Sequence, residues 1–202
     1  MKFCHLLEKQ SAGNERYTSL FLFYKKMKKS LKLVPAANTD GPADGDEFAA
    51  AEDVFVDAVI EEIGVLGRLR ATTQANSASQ LAHLKSVVED GDCGELEGRQ
   101  QVYQDLVNFH GETLLLLHWS ILAYTAIVKL LKKHQKRTGT LLQAPHLRDM
   151  LAEESWSTEP PTALIATAAA LISQVDHELY SSSGSAPSPD SVRHSSNSPT
   201  SR

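Results

Sequence analysis

Two runs of lysine carry the most distinctive chemistry in this chain of 202 residues. Both runs have the spacing i, i+3, i+4 and i+7: Lys25, Lys28, Lys29 and Lys32, then Lys129, Lys132, Lys133 and Lys136. On a helix this spacing places four ammonium groups on one face. Tyr24 lies four residues before Lys28, so its hydroxyl lies along the same edge. Lysine binds phosphate as a point charge and tyrosine adds a neutral donor, so the sequence predicts one site for a highly phosphorylated anion.

The lysine faces carry an electrostatic cost. Each like-charged i,i+4 pair destabilises a helix by about 0.2–0.5 kcal/mol. The acids nearest to the second run in sequence are distant, Glu112 before it and Asp149 after it. Lysine runs are often only solvated faces, and both runs lie near predicted helix C-termini, where positive charge is favourable. The repeated spacing and the tyrosine in register favour a binding site.

Composition excludes several other classes of site. The formal net charge is −5, which argues against a protein that binds nucleic acid through its overall charge. Cys4 and Cys93 are too few for a disulfide framework or a thiolate zinc site, and they indicate a reducing compartment. The eight histidines show no metal-ligand spacing, and no nucleophile–base pair stands out. We therefore expect no metal, no cofactor and no catalytic residue.

The chain lacks sustained period-2 alternation and hairpin turns, which predicts an all-α fold. The helices are expected at residues 1–10, 16–33, 46–70, 80–88, 100–136, 145–153 and 160–178. A break or fraying is expected over Thr72–Ser79, where small polar residues are poor helix formers. Gly139 should end the longest helix, and Gly111 inside it indicates close packing or a bend.

The stretch Leu114–Val128 is almost continuously apolar, but its 15 residues fall short of the roughly 20 that a membrane span needs. It predicts a buried core helix and no membrane span. The start, MKFCHLLEKQ, has no secretory signal. The Ser- and Pro-rich end cannot form a core, so we expect one domain over 1–178 and a disordered tail over 179–202.

Three segments resemble the SPX domain family, especially its stand-alone plant and green-algal type. They are MKFCHLL, FLFYKKMKKSLKLV and, most specifically, LHWSILAYTAIVKLLKKHQKRTGTLLQAPHLRDML. The resemblance covers roughly 1–178. It implies an N-terminal helical hairpin packed on a bundle of long helices, followed by two short C-terminal helices.

The resemblance implies a sensor of phosphate status that binds inositol polyphosphates, chiefly inositol pyrophosphates. Three groups of residues match the family's motifs. Tyr24, Lys28 and Lys132 match its phosphate-binding cluster, called here the inner cluster, and Lys129, Lys133 and Lys136 match its surface lysines, called here the outer rim. Lys2 matches the N-terminal lysine that helps to close the site. The liganded domain, in the nucleus or cytoplasm, is expected to bind a MYB-type phosphate-starvation transcription factor and keep it off DNA.

The chain departs from the family pattern at five positions. Cys4 and His5 stand where the family usually has Gly and Lys, so one N-terminal positive charge is lost. Ala123 and Ala126 replace Asn and Gly and favour a straighter helix. Gln135 replaces Asp, which should make the lysine face more positive.

Two other functions are compatible with the lysine runs. One is a regulatory SPX domain, or a fragment, that acts on a polyphosphate or phosphate-transport enzyme. The other is direct binding of nucleic acid or an anionic membrane, which net acidity and the lack of interleaved arginine and aromatic residues disfavour.

Overall fold

The computed structural model describes residues 3–37, 45–90, 96–142, 149 and 156–183. Within these ranges the helices are α1 (Phe3–Ser11), α2 (Glu15–Leu31), α3 (Asp46–Glu89), α4 (Leu96–Thr138) and α5 (Glu159–Ser183). The same ranges contain no strand. The predicted all-α fold, with an N-terminal hairpin on long helices, is therefore confirmed.

A tight turn makes α1 and α2 a hairpin. Asn14 caps α2: its side-chain oxygen accepts a hydrogen bond from the backbone N–H of Arg16 at 2.9 Å, and its carbonyl accepts one from Tyr17 at 3.1 Å. These bonds satisfy donors that the first helical turn would otherwise leave without partners. The inner face of α2 buries Tyr17, Leu20, Phe23, Tyr24, Met27 and Leu31.

Two hydrophobic cores lie along α3 and α4. The first core joins α1 and α2 to the N-terminal half of α3 and the C-terminal half of α4, with Phe55 and Trp119 among its largest side chains. The second joins the C-terminal half of α3, the N-terminal half of α4 and α5, around Leu106 and Val175. Since opposite halves of α3 and α4 share each core, the two long helices run antiparallel.

Arg70 lies between the two cores and connects three elements. Its side chain is 1% exposed. Its Nε donates to the hydroxyl of Ser120 on α4 at 2.9 Å, and its Nη2 donates to the carbonyl of Ser157, two residues before α5. Burial lowers the pKa of this guanidinium. The hydrogen bonds offset part of the cost of burying a charge and fix α5 relative to the long helices.

The predicted break over Thr72–Ser79 is wrong, because α3 is continuous. Its 44 residues make a helix about 66 Å long. The hydroxyls of Thr73 and Ser77 donate to the carbonyls four residues earlier, at 2.8 and 3.0 Å. Such bonds back to the helix slightly destabilise it, so they do not explain its continuity. The helix is buried before this segment at Leu66 and Arg70 and after it at Leu81 and Leu84, and this packing outweighs the low helix propensity between them.

Helix α4 confirms its predicted end but starts earlier than residue 100. It ends at Thr138, and Gly139 follows with φ 73°, the left-handed conformation expected after a helix. By length and composition α4 could cross a membrane, a test that core helices of soluble proteins also pass. Its residues Leu116, Trp119 and Ala123 are buried in the first core, which agrees with the expectation of a core helix.

Helix α5 is longer than predicted. Its 25 residues replace one of the two expected short helices, and it continues past Glu178 because Leu179 packs against the second core. The other short helix, predicted over 145–153, lies outside the described residues except for Asp149. Residues 184–202 also lie outside them. The boundary between domain and tail stays a prediction.

Gly111 should be replaceable with a gain in stability. A Cβ at this position would meet no atom within 4 Å, and α4 is continuous through it, so the expectation of close packing there is wrong. We expect Gly111→Ala to raise the free energy of unfolding by about 0.5–1 kcal/mol, measured by urea denaturation, because alanine loses less backbone entropy. Gly139→Ala, at a positive φ, is the opposite control and should destabilise the protein. A destabilising Gly111→Ala would contradict this reading.

Candidate anion-binding site

An aromatic pair forms the floor of a cleft between the hairpin and α4. Phe3 of α1 and Tyr24 of α2 meet edge to face, with ring centroids 5.1 Å apart and planes at 86°. The ammonium of Lys129 lies 5.1 Å from the Phe3 centroid, and that of Lys28 lies 5.8 Å from the Tyr24 centroid. Cation–π attraction of this kind places the two ammonium groups above the floor.

Lysines from two helices line this cleft, which has a volume of about 440 Å³. Lys28 comes from α2, and the other four come from one face of α4: Lys129, Lys132, Lys133 and Lys136. All four on α4 are exposed, whereas Lys28 is half-buried. The cleft is within the size range of small-molecule sites.

No acid is among the residues that line the cleft, and none of its lysines forms an ion pair within the described part of the chain. Lys26 shows the contrast: it lies on the other side of α2, and its ammonium bonds to the carboxylate of Glu62. Five ammonium groups that share one cleft without counter-charges produce a positive field that attracts anions.

Tyr24 contributes a neutral donor. Burial, and in second place the nearby Cys4, raises the pKa of Tyr24 above its ordinary value of 10.0. The phenol therefore keeps its proton at neutral pH and can act as a hydrogen-bond donor. Combined with the ammonium groups above it, this donor suits a ligand with several phosphate groups.

Several curated plant proteins are similar in sequence to this chain. SPX domain-containing protein 4 of Arabidopsis thaliana is 31% identical over 220 residues, which cover 89% of this chain and 69% of that protein. The chain belongs to the SPX domain family. SPX domain-containing protein 1 of A. thaliana is 28% identical over 162 residues, 77% of the SPX chain. SPX domain-containing protein 6 of Oryza sativa subsp. indica is 33% identical over 153 residues, 72% of the SPX chain.

The SPX chain spans less than two thirds of several of these relatives, covering 63% of the A. thaliana protein 1 and 59% of the rice protein 6. No protein-family model matches the chain. The relatives are named for the SPX domain and not for an enzymatic reaction. Membership of the family assigns an SPX domain to this chain.

The structure brings together six of the seven residues expected to bind the anion. The inner cluster and the outer rim all line the cleft: Tyr24, Lys28, Lys132, Lys129, Lys133 and Lys136. Lys2 lies outside the described residues. Cys4 lines the cleft, while His5 is exposed beside Glu8 at 3.4 Å. That these residues bind a ligand stays a prediction.

Sequence analysis missed Phe3, which supplies half of the floor. The available signal was its spacing from Leu7 (i,i+4), which places both on the inner face of α1. It also found no metal-ligand spacing; within the described ranges no three His, Cys, Asp or Glu side chains gather around a common point. The expectation that no metal is bound stays a prediction.

His134 lies in the first core beneath the lysine face of α4. Its ring stacks on Phe55 with centroids 5.5 Å apart and planes at 9°, and its Nε2 lies 2.9 Å from Oε1 of Glu52. Burial lowers the pKa of His134 below 6.5, although Glu52 acts in the opposite direction. A neutral His134 adds no further positive charge beneath the lysines.

The depressed pKa of His134 makes stability depend on pH. The unfolded chain takes up this proton near pH 6.5, and the folded chain does so only at lower pH. The free energy of unfolding should therefore fall as pH drops below 6.5, by up to about 1.4 kcal/mol per pH unit for this one proton. Urea midpoints measured from pH 7.5 to pH 5 test this for wild type, His134→Gln and His83→Gln.

The two variants separate His134 from the other titrating groups. His134→Gln should flatten the pH dependence, whereas His83→Gln, at an exposed position on α3, should leave it unchanged. An equal slope in wild type and His134→Gln would refute the assignment.

Proposed function

We propose that the cleft binds inositol polyphosphates, chiefly inositol pyrophosphates, and that the liganded SPX domain binds and restrains a MYB-type phosphate-starvation transcription factor. The observation that carries the proposal is the meeting of Lys28 on α2 with the lysine face of α4 around one acid-free cleft. The family relationship supports the phosphate-signalling context.

The charges explain why a polyanion would be held. Each ammonium donates charge-assisted hydrogen bonds to phosphate oxygens, and Tyr24 adds one from a neutral hydroxyl. The free site carries the repulsion of its lysines, and an anion with several phosphates removes that repulsion while gaining attraction from both helices. A single phosphate reaches fewer ammonium groups, so affinity should rise steeply with phosphate number.

The outer rim suggests how a ligand would control a partner. Lys129, Lys133 and Lys136 are exposed, so phosphates bound there remain at the surface. A partner that contacts this surface meets protein and ligand together and binds in proportion to site occupancy. In this proposal the protein acts in the nucleus, or captures the factor in the cytoplasm, when inositol pyrophosphate is abundant.

Calorimetry with an inositol pyrophosphate tests the ligand. Lys28→Ala and Lys132→Ala should each weaken binding by about tenfold or more, because each removes a charge-assisted contact worth about 1.5–3 kcal/mol. Lys85→Ala is the matched control: it also removes one lysine charge, but Lys85 pairs with Glu89 near the second core. Unchanged affinity in both cleft variants, or an equal loss in Lys85→Ala, would refute the cleft as the site.

A binding assay with the purified MYB-type factor tests the partner. The SPX protein should retain the factor when inositol pyrophosphate is present and release it when the ligand is removed. Lys132→Ala should lose this ligand-dependent retention, and Lys85→Ala should keep it. Retention that ignores the ligand would contradict ligand control, and capture of a phosphate-transport or polyphosphate enzyme instead would favour the alternative function.

A further inference from the structure

A second cleft continues from the first toward the C-terminal ends of α2 and α4. Its volume is about 580 Å³. It shares Lys28, Lys133 and Lys136 with the first cleft, and it adds Lys32 and Arg137. No acid is among its lining residues. Because three lysines face both spaces, a ligand held in the first cleft has a continuous positively charged path into the second.

Helix ends make this an unusual place for an anion. Anions are favoured at helix N-termini, whereas the unpaired carbonyls of a C-terminus repel them. Here α2 ends at Leu31 and α4 ends at Thr138. An anion can bind at two C-termini only if the carbonyls are satisfied and enough cations are present.

Arg137 contributes to the first of these requirements. Its Nε donates to the carbonyl of Val34 at 2.6 Å, and its Nη2 donates to the carbonyl of Lys32 at 3.0 Å. Its own carbonyl accepts a hydrogen bond from the N–H of Ala37 at 2.8 Å. Three hydrogen bonds therefore join the end of α4 to the segment that follows α2, and they hold Lys32 beside the second cleft.

The guanidinium of Arg137 also retains donors. An arginine carries five N–H groups, and the other N–H groups of Arg137 have no partner among the described residues. Lys32, which is exposed, has no ion pair in the described part of the chain. Arg137 and Lys32, which lie outside the inner cluster and the outer rim, therefore add two cations at the helix C-termini, and Arg137 also satisfies two carbonyls just after α2.

We propose that the second cleft is a subsite for a further phosphate group that projects from a ligand anchored in the first cleft. Lys32 contacts this phosphate, and Arg137 positions Lys32 and neutralises the carbonyls behind it. The inference rests on the proposed function of the first cleft. It assigns to the second cleft the recognition of the diphosphate group that distinguishes an inositol pyrophosphate from inositol hexakisphosphate.

Calorimetry on the full chain with two ligands tests the subsite. Inositol hexakisphosphate and a diphosphoinositol pentakisphosphate are titrated into wild type, Lys32→Ala, Lys29→Ala and Arg137→Lys. Lys32→Ala should lower the affinity for the diphosphoinositol pentakisphosphate by about tenfold, the scale of one charge-assisted contact. Its effect on the hexakisphosphate should be below about twofold, because only long-range attraction is lost.

Lys29→Ala is the matched control on the same helix. It removes an equal charge three residues from Lys32. Both lysines line the groove between α2 and α3, but Lys32 also lines the second cleft, whereas Lys29 lines neither anion cleft. Lys29→Ala should lower the affinity for both ligands slightly and by the same factor. Arg137→Lys keeps the charge but loses the paired carbonyl contacts, so it should reduce the ratio of the two affinities without abolishing hexakisphosphate binding.

The subsite would be overturned if Lys32→Ala lowered the affinity for both ligands equally, or if Lys29→Ala gave the same selective loss of affinity. Either result would leave the proposal for the first cleft intact. No binding of either ligand by wild type would overturn the proposed function and the subsite together. A third titration adds inorganic phosphate to the hexakisphosphate. If Lys32→Ala then weakens the binding of hexakisphosphate by about tenfold, the second cleft binds a separate phosphate ion. That result would exclude the proposal that the cleft holds a phosphate projecting from the ligand.

Discussion

Burial of the inner faces of α2 and α4 holds together two surfaces that repel each other. Met27 and Leu31 on α2, with Ile127 and Leu130 on α4, are buried in the same core. Each large apolar side chain gains about 1.5–3 kcal/mol on burial, whereas each like-charged helical pair costs about 0.2–0.5 kcal/mol. The core therefore holds the lysine faces together despite the repulsion between their charges. The cleft, its aromatic floor and the shared field of its ammonium groups all depend on this packing.

The lysine face of α4 was predictable because the helical period is given by the spacing of its run. The first run was predicted only in part, because Lys28 and Lys32 line the clefts whereas Lys25 and Lys29 line neither. Tyr24 was predictable from its spacing, since it precedes Lys28 by one turn. Phe3 was harder, because its role depends on how α1 packs against a helix more than 100 residues later. Long-range geometry of that kind is not visible in local patterns.

Low local helix propensity predicted a break in α3 that the structure does not have. The small polar residues over Thr72–Ser79 suggested a break, but burial of α3 before this segment (Leu66, Arg70) and after it (Leu81, Leu84) outweighed their weak preference for helix. The contact of His134 with Glu52 and the carbonyl contacts of Arg137 were equally hidden. In each case the partners are brought together only by the antiparallel packing of the helices.

The two-core architecture places both anion clefts at one end of the bundle, apart from the second core. Every residue that lines the two anion clefts belongs to α1, α2, the segment after α2 or the C-terminal end of α4. The second core, with α5, supplies none of them, and Arg70 marks the boundary between the two regions. Selection can therefore act on each end of the bundle separately. Substitutions in the distal half can change its length and surface while the lysine-lined end keeps its positive charge.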